Sequence, residues 1–94
     1  MELVFEWDEE KAQSNLKDHK VRFEEGATIF HDPFIATRLD PDHSEKEQRY
    51  ISIGLSVKGR LLVVSHTERG NKTRIISCRK ATPTERRIYE EGNY

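Results

Sequence analysis

Apolar positions along this chain come in short blocks whose spacing changes from block to block. Leu3-Val4-Phe5-Glu6-Trp7 has the β-branched and aromatic character of a strand. Asp8 then suits a helix N-cap, with Glu9 and Glu10 in the first turn where the helix dipole favours carboxylates. Ala12, Leu16 and His19 fall on one helical face and predict a helix over 9–19, although Lys20 stands where a closing glycine is preferred. Phe23, Ala27 and Phe30 predict a second helix over 23–30, ended by Asp32-Pro33. Residues 34–38 read as a strand, and 40–47 as a polar connection. Strands over 49–56, 60–67 and 73–80 follow, joined by turns at Lys58-Gly59 and Gly70-Asn71, which makes a β-meander. Leu61, Leu62, Val63 and Val64 are apolar on both faces, as in a central strand covered on both sides. Thr82-Pro83-Thr84-Glu85 combines a cap, an N1 proline and a capping box, and opens a basic helix to about Glu91. The order β-α-α-β-β-β-β-α predicts an α+β fold: helices packed on a small, mainly antiparallel sheet.

Ninety-four residues make one domain, and 34% hydrophobic against 35% charged leaves it a lean core. The single cysteine, Cys78, has no internal partner, so a reducing cytoplasm fits best. No apolar run approaches the roughly 20 residues of a membrane span, and the start lacks a basic-then-apolar signal pattern. The net charge of −1 conceals an asymmetry. Residues 1–47 carry 6 Lys/Arg against 13 Asp/Glu, and residues 48–94 carry 10 against 4. That balance of −7 and +6 either marks a C-terminal half that meets a polyanion, or cancels if the halves interleave in the fold.

The stretch 60–80 concentrates the candidate chemistry. By strand parity Leu62, Val64, His66 and Glu68 share one face, as do Arg49, Ile51, Ile53 and Leu55 on the preceding strand. Ser77 and Arg79 share a face with Thr73 and Ile75, and Lys80 takes the other. Arg49, His66 and Glu68 thus continue apolar rows at strand ends. Taken singly, His66 is commonly a hydrogen-bonded structural residue, Arg49 a snorkelling rim residue, and Glu68-Arg69 ordinary loop residues. Taken together, they supply what metal-independent RNA cleavage needs: a base for the 2′-hydroxyl, an acid for the 5′-oxygen, and cations for the phosphate. His66 can serve as base or acid, and Glu68 as the other proton carrier or as an orienting group. Arg49, Arg79 and Lys80 can hold phosphate. The expectation is one pocket at one end of the meander, with no metal and no cofactor. Cys78 reads as a buried small hydrophobe, and Tyr89 as packing on the sheet rather than stacking on a base.

With those residues in view, the sequence resembles the BrnT-type toxins of bacterial type II toxin–antitoxin systems. The resemblance rests on Phe5-Glu6-Trp7-Asp8 with Lys11, Asn15-Leu16 and His19; on Val21-Arg22-Phe23-Glu24-Glu25-Gly26-Ala27; and on Phe30-His31-Asp32-Pro33. It continues through Asp42-His43-Ser44, Arg49-Tyr50, Ile53-Gly54, His66-Thr67-Glu68-Arg69, Arg74-Ile75-Ile76-Ser77 and Arg79-Lys80-Ala81-Thr82. It implies a RelE-like fold and RNA cleavage that arrests translation and growth in a bacterial cytoplasm. It also implies neutralisation by a BrnA-type ribbon-helix-helix antitoxin, through which alone operator DNA would be reached. By that analogy Arg49, His66, Glu68 and Arg79 are catalytic, and Thr67, Arg69 and Lys80 bind RNA or phosphate. Lys20 and Arg22 depart from the small residues expected between the first helices, and Gly26 stands where alanine is common. A reading of a different class is a non-catalytic module whose basic surface only docks a partner.

Overall fold

Caps and apolar faces fix the elements largely where their residues predict them. The computed structural model describes residues 3–92. It contains β1 (Val4–Glu6), α1 (Glu9–His19), α2 (Phe23–Ala27), β2 (Ala36–Leu39), β3 (Arg49–Leu55), β4 (Leu61–Arg69), β5 (Lys72–Lys80) and α3 (Pro83–Glu91). Asp8 caps α1 by accepting from the amides of Glu10 and Lys11, and Thr82 with Glu85 forms the expected capping box on α3. The second helix is shorter than expected: after Ala27 the chain tightens into a 3₁₀ turn, Thr28–His31. Another 3₁₀ turn, Pro41–His43, interrupts the polar connection. Lys20 itself adopts the left-handed conformation that closes α1, at φ 61°.

The strands form a five-stranded sheet in the order β1-β5-β4-β3-β2. β1 runs parallel to β5, and the other neighbours are antiparallel. β4 lies in the middle, and Leu61 to Val64 are buried on both of its faces. On one face α1, α2 and the link between them bring Ala12, Val21 and Phe23 onto Leu62, Val64, Ile75 and Cys78. On the other, Ile88 and Tyr89 of α3 pack on Ile53, Leu61 and Val63.

Buried polar groups tie helices to sheet. Asn15, rather than His19, faces inward from α1; its Nδ2 donates to the carbonyls of Val21 (2.9 Å) and Cys78 (2.7 Å), and its Oδ1 accepts from Cys78 N (3.0 Å). Glu25 is buried and accepts from Arg60 and from the Ser56 hydroxyl, which anchors α2 to the β3–β4 turn. Gly26 is required by packing rather than tolerated: a Cβ there would lie 2.8 Å from Cys78 Sγ. Acidic residues of the N-terminal half meet bases of the C-terminal half in Glu6–Arg74 (2.9 Å), Glu47–Arg69 (3.3 Å) and Glu25–Arg60. Interleaving therefore offsets part of the charge asymmetry. No helix among the described residues is long and apolar enough to cross a membrane.

Candidate active site

A bulge in β5 decides which side chains share a face. Ser65 pairs with Ser77, but the next residue, His66, pairs with Ile75, so Ile76 is left without a partner in the ladder. Parity therefore changes sign within β5. Ser77 and Arg79 face the α3 side, opposite Ser65 and Val63, while Thr73 and Ile75 face the α1/α2 side. The expectation that Thr73, Ile75, Ser77 and Arg79 share a face is corrected here, because an unpaired residue advances the strand by one position. The same slip turns Arg74 onto the face of Arg79.

Registry then aligns a polar row across the α3 side of the sheet, beyond the reach of α3: Arg49 beside Thr67, Thr67 beside Arg74, and Arg74 beside Glu6. Arg49 is half-buried, and its Nε lies buried without a hydrogen-bond partner among the described residues. Arg74 Nη1 donates to Glu6 Oε2 at 2.9 Å. Ser65 and Ser77 are half-buried on the neighbouring row. Arg79 stands on the row of Val63, four positions along β4 from Thr67, or roughly 13 Å at about 3.3 Å per residue. It holds Glu85 in a two-pronged pair, Nη1 to Oε1 at 2.7 Å and Nη2 to Oε2 at 2.8 Å. That arginine is the main reason the Glu85 carboxyl is drawn down to about 2. Arg79 thereby pins the first turn of α3 to the sheet.

His66 and Glu68 lie on the other face. The common pocket for His66, Glu68, Arg49 and Arg79 does not form, and the cause is geometric. Successive strand residues point to opposite sides, so Thr67 beside Arg49 puts His66 and Glu68 on the helix side. Arg79 is further removed because antiparallel β4 and β5 end at opposite edges. His66 is buried, its Nε2 within 2.7 Å of Ser52 Oγ, which in turn lies 2.7 Å from Thr37 Oγ1. Phe30 meets its ring edge-on at 4.9 Å, and Tyr50 stacks on it at 5.7 Å. Burial lowers its pKa to about 4 and keeps the ring neutral. Nδ1 has no partner among the described residues.

Glu68 is exposed and accepts from Thr73 Oγ1 at 3.0 Å. Thr67 is buried, and its hydroxyl donates to the Gln48 carbonyl at 2.6 Å. Arg69 pairs with Glu47, and exposed Lys80 sits beside Leu62 on the helix side. Tyr89 packs on the sheet as expected, and its hydroxyl donates to Asp32 at 2.5 Å.

Arg49 also lines an open cleft of about 340 Å³ with Asp42, His43, Glu45, Lys46 and Glu47. There the 3₁₀ turn Pro41–His43 brings His43 Nδ1 within 2.9 Å of Asp40 Oδ2. Asp40 is buried; burial alone would raise its carboxyl, but hydrogen bonds from His43 and the Asp42 amide hold it below the usual range. The sequence pattern assigns no part in RNA cleavage to His43, Arg74, Ser65 or Ser77, and offers His43 only as a possible metal ligand without a matching cage. Asp40-Pro41-Asp42-His43 carries the local mark of the turn, a capping Asp before an N1 proline, whereas nothing in Ile75-Ile76 announces the bulge.

A family model described as ribonuclease toxin, BrnT, of type II toxin-antitoxin system matches residues 7–85. Among solved structures, the 1.1 Å crystal structure of the Brucella abortus ribonuclease toxin, BrnT, is similar, with a TM-score of 0.63 and 21% identity over 86% of this chain and 99% of that one. At this identity the likeness speaks to the fold. No curated protein matches the chain.

Proposed function

The chain belongs to the family of BrnT ribonuclease toxins of type II toxin–antitoxin systems, and from that premise we propose that it cuts RNA on the arginine-bearing, α3 side of its sheet. The observation that carries this reading is the row of Arg49, Thr67 and Arg74, with half-buried Ser65 and Ser77 beside it. The guanidinium Nε of Arg49 is buried and lacks an acceptor among the described residues, so a turn of the side chain that brings it to a phosphate oxygen would satisfy it. Arg79 lies too far along the strand to share that phosphorus, and both of its Nη groups are held by Glu85.

Cleavage is proposed to proceed by acid–base chemistry with the RNA 2′-hydroxyl as nucleophile. The arginines would stabilise the extra charge on phosphorus, which typically contributes about 3 kcal/mol per donor. At the level of the cell the reading entails inhibited translation in a bacterial cytoplasm. It includes release from toxicity by a BrnA-type ribbon-helix-helix antitoxin, and a RelE-like ancestry of the fold. Inducible expression with and without the neighbouring gene, followed by mapping of RNA ends, tests it. New RNA ends and arrested growth are expected with the wild type and not with Arg49→Ala; a folded wild type that leaves cellular RNA intact sinks the reading.

A further inference from the structure

His43 is the described imidazole that is both oriented by a carboxylate and set in a cleft with a candidate phosphate-binding arginine. Asp40 Oδ2 accepts from Nδ1 at 2.9 Å, which fixes the proton on Nδ1 and leaves the Nε2 lone pair free. The imidazole is 64% exposed while the carboxylate that holds it is 11% exposed, so the ring reaches solvent from a rigid base. Backbone bonds fix that base against Arg49. The Asp40 amide donates to the Arg49 carbonyl at 2.8 Å, and the Arg49 amide donates to Ser44 Oγ at 3.0 Å. Ser44 Oγ in turn donates to the Asp40 carbonyl. The turn that carries His43 is therefore tied to the Arg49 backbone, and both residues line the 340 Å³ cleft. His66 offers none of this: its ring is buried beneath Phe30 and its Nε2 is occupied by Ser52.

We propose that His43 is the proton-transfer group of the cleavage reaction, with Asp40 as its positioning residue and RNA bearing a 2′-hydroxyl beside Arg49 as substrate. This rests on the ribonuclease reading above. His43 Nε2 takes the 2′-hydroxyl proton as the 2′-oxygen bonds to phosphorus. The phosphorus–5′-oxygen bond breaks, and the leaving oxygen takes a proton from water. The products are a 2′,3′-cyclic phosphate and a 5′-hydroxyl, and no atom changes oxidation state. The imidazolium then returns its proton to solvent. Glu45 and Asp42 make the cleft too acidic to serve alone as a phosphate site, so the phosphate belongs on the Arg49 side and the ribose on the His43 side.

The test uses purified wild type, His43→Ala and Asp40→Asn, with labelled single-stranded RNA offered free and in a cell-free translation extract. His43→Ala should lower the cleavage rate by about a hundredfold or more, with RNA affinity within roughly threefold of wild type and a cooperative thermal transition retained. Asp40→Asn keeps an acceptor for the Asp42 amide but loses the charge. It should cost about tenfold in rate and shift the nitrogen resonances of the His43 ring. If His43→Ala cleaves within about threefold of an active wild type, or loses rate only in proportion to affinity, the proton-transfer role is overturned while the ribonuclease reading stands. An unaltered rate in Asp40→Asn overturns the positioning role. A wild type that cuts RNA in neither setting removes both.

Discussion

At the scale of single residues, His66 exchanges water for one hydroxyl and two aromatic rings, and its titration then becomes a property of folding. Burial depresses its pKa from 6.5 to about 4. Above 6.5 the ring is neutral in both folded and unfolded chains, so the shift contributes nothing there. As pH falls from 6.5 the unfolded chain binds a proton that the folded one refuses, and stability declines until about pH 4, where the loss levels off. The whole effect is of the order of 3 kcal/mol at 1.36 kcal/mol per pKa unit. Urea unfolding at pH 7.5 and pH 4 should show it, and His66→Phe should lose that component of the pH dependence; an identical pH slope in the variant would refute the assignment. The imidazole and its face were legible in the alternation of β4. Its burial was not, because Phe30 reaches it from a 3₁₀ turn far away in sequence.

At the scale of elements, local chemistry predicted the starts of helices better than their ends. The Thr82–Glu85 capping box and the Asp8 cap were both visible in the chain, since each is a contact within a few residues. What closes α1 is instead a lysine held at φ 61°, where a side chain costs about 1 kcal/mol. Lys20→Gly should raise stability by roughly 0.5–1 kcal/mol in chemical denaturation, in spite of glycine's greater freedom in the unfolded chain. Gly26→Ala should do the opposite. Helix propensity favours alanine by roughly 1 kcal/mol, but its Cβ would press on Cys78 Sγ at 2.8 Å, so α2 must lift from β5. The expected result is a net loss of about 1–3 kcal/mol, and a raised thermal midpoint would show that the seam is slack. The bulge at Ile76 was not legible at all. An unpaired residue between apolar neighbours depends on the register of two strands, which no local pattern records.

At the scale of the whole molecule, the opposite charges of the two halves are partly spent on each other, through Glu6–Arg74, Glu25–Arg60 and Glu47–Arg69. Net charge is therefore a poor guide to the binding surface, and the arrangement of arginines on one face is the better one. Composition and turn spacing sufficed for the α+β class and the meander, while the grouping of site residues depended on which strand ends meet. Arg74→Ala should weaken RNA binding and reduce the salt dependence of the logarithm of affinity by roughly 0.7, the value for one fewer single-strand phosphate contact. Its effect on stability should stay below about 1 kcal/mol, because the Glu6 pair is partly exposed. An unchanged salt slope would place RNA elsewhere on the surface.

The thiol of Cys78 lies where α2 meets β5, with no exposure to solvent and a pKa raised to about 12 by that burial. It cannot react with an alkylating reagent until the seam parts, so its labelling rate under native conditions measures how often the seam breathes. A single intrinsic probe of this kind needs no engineered label. Slower labelling in the presence of a binding partner would reveal that the partner clamps the α2–β5 contact from afar.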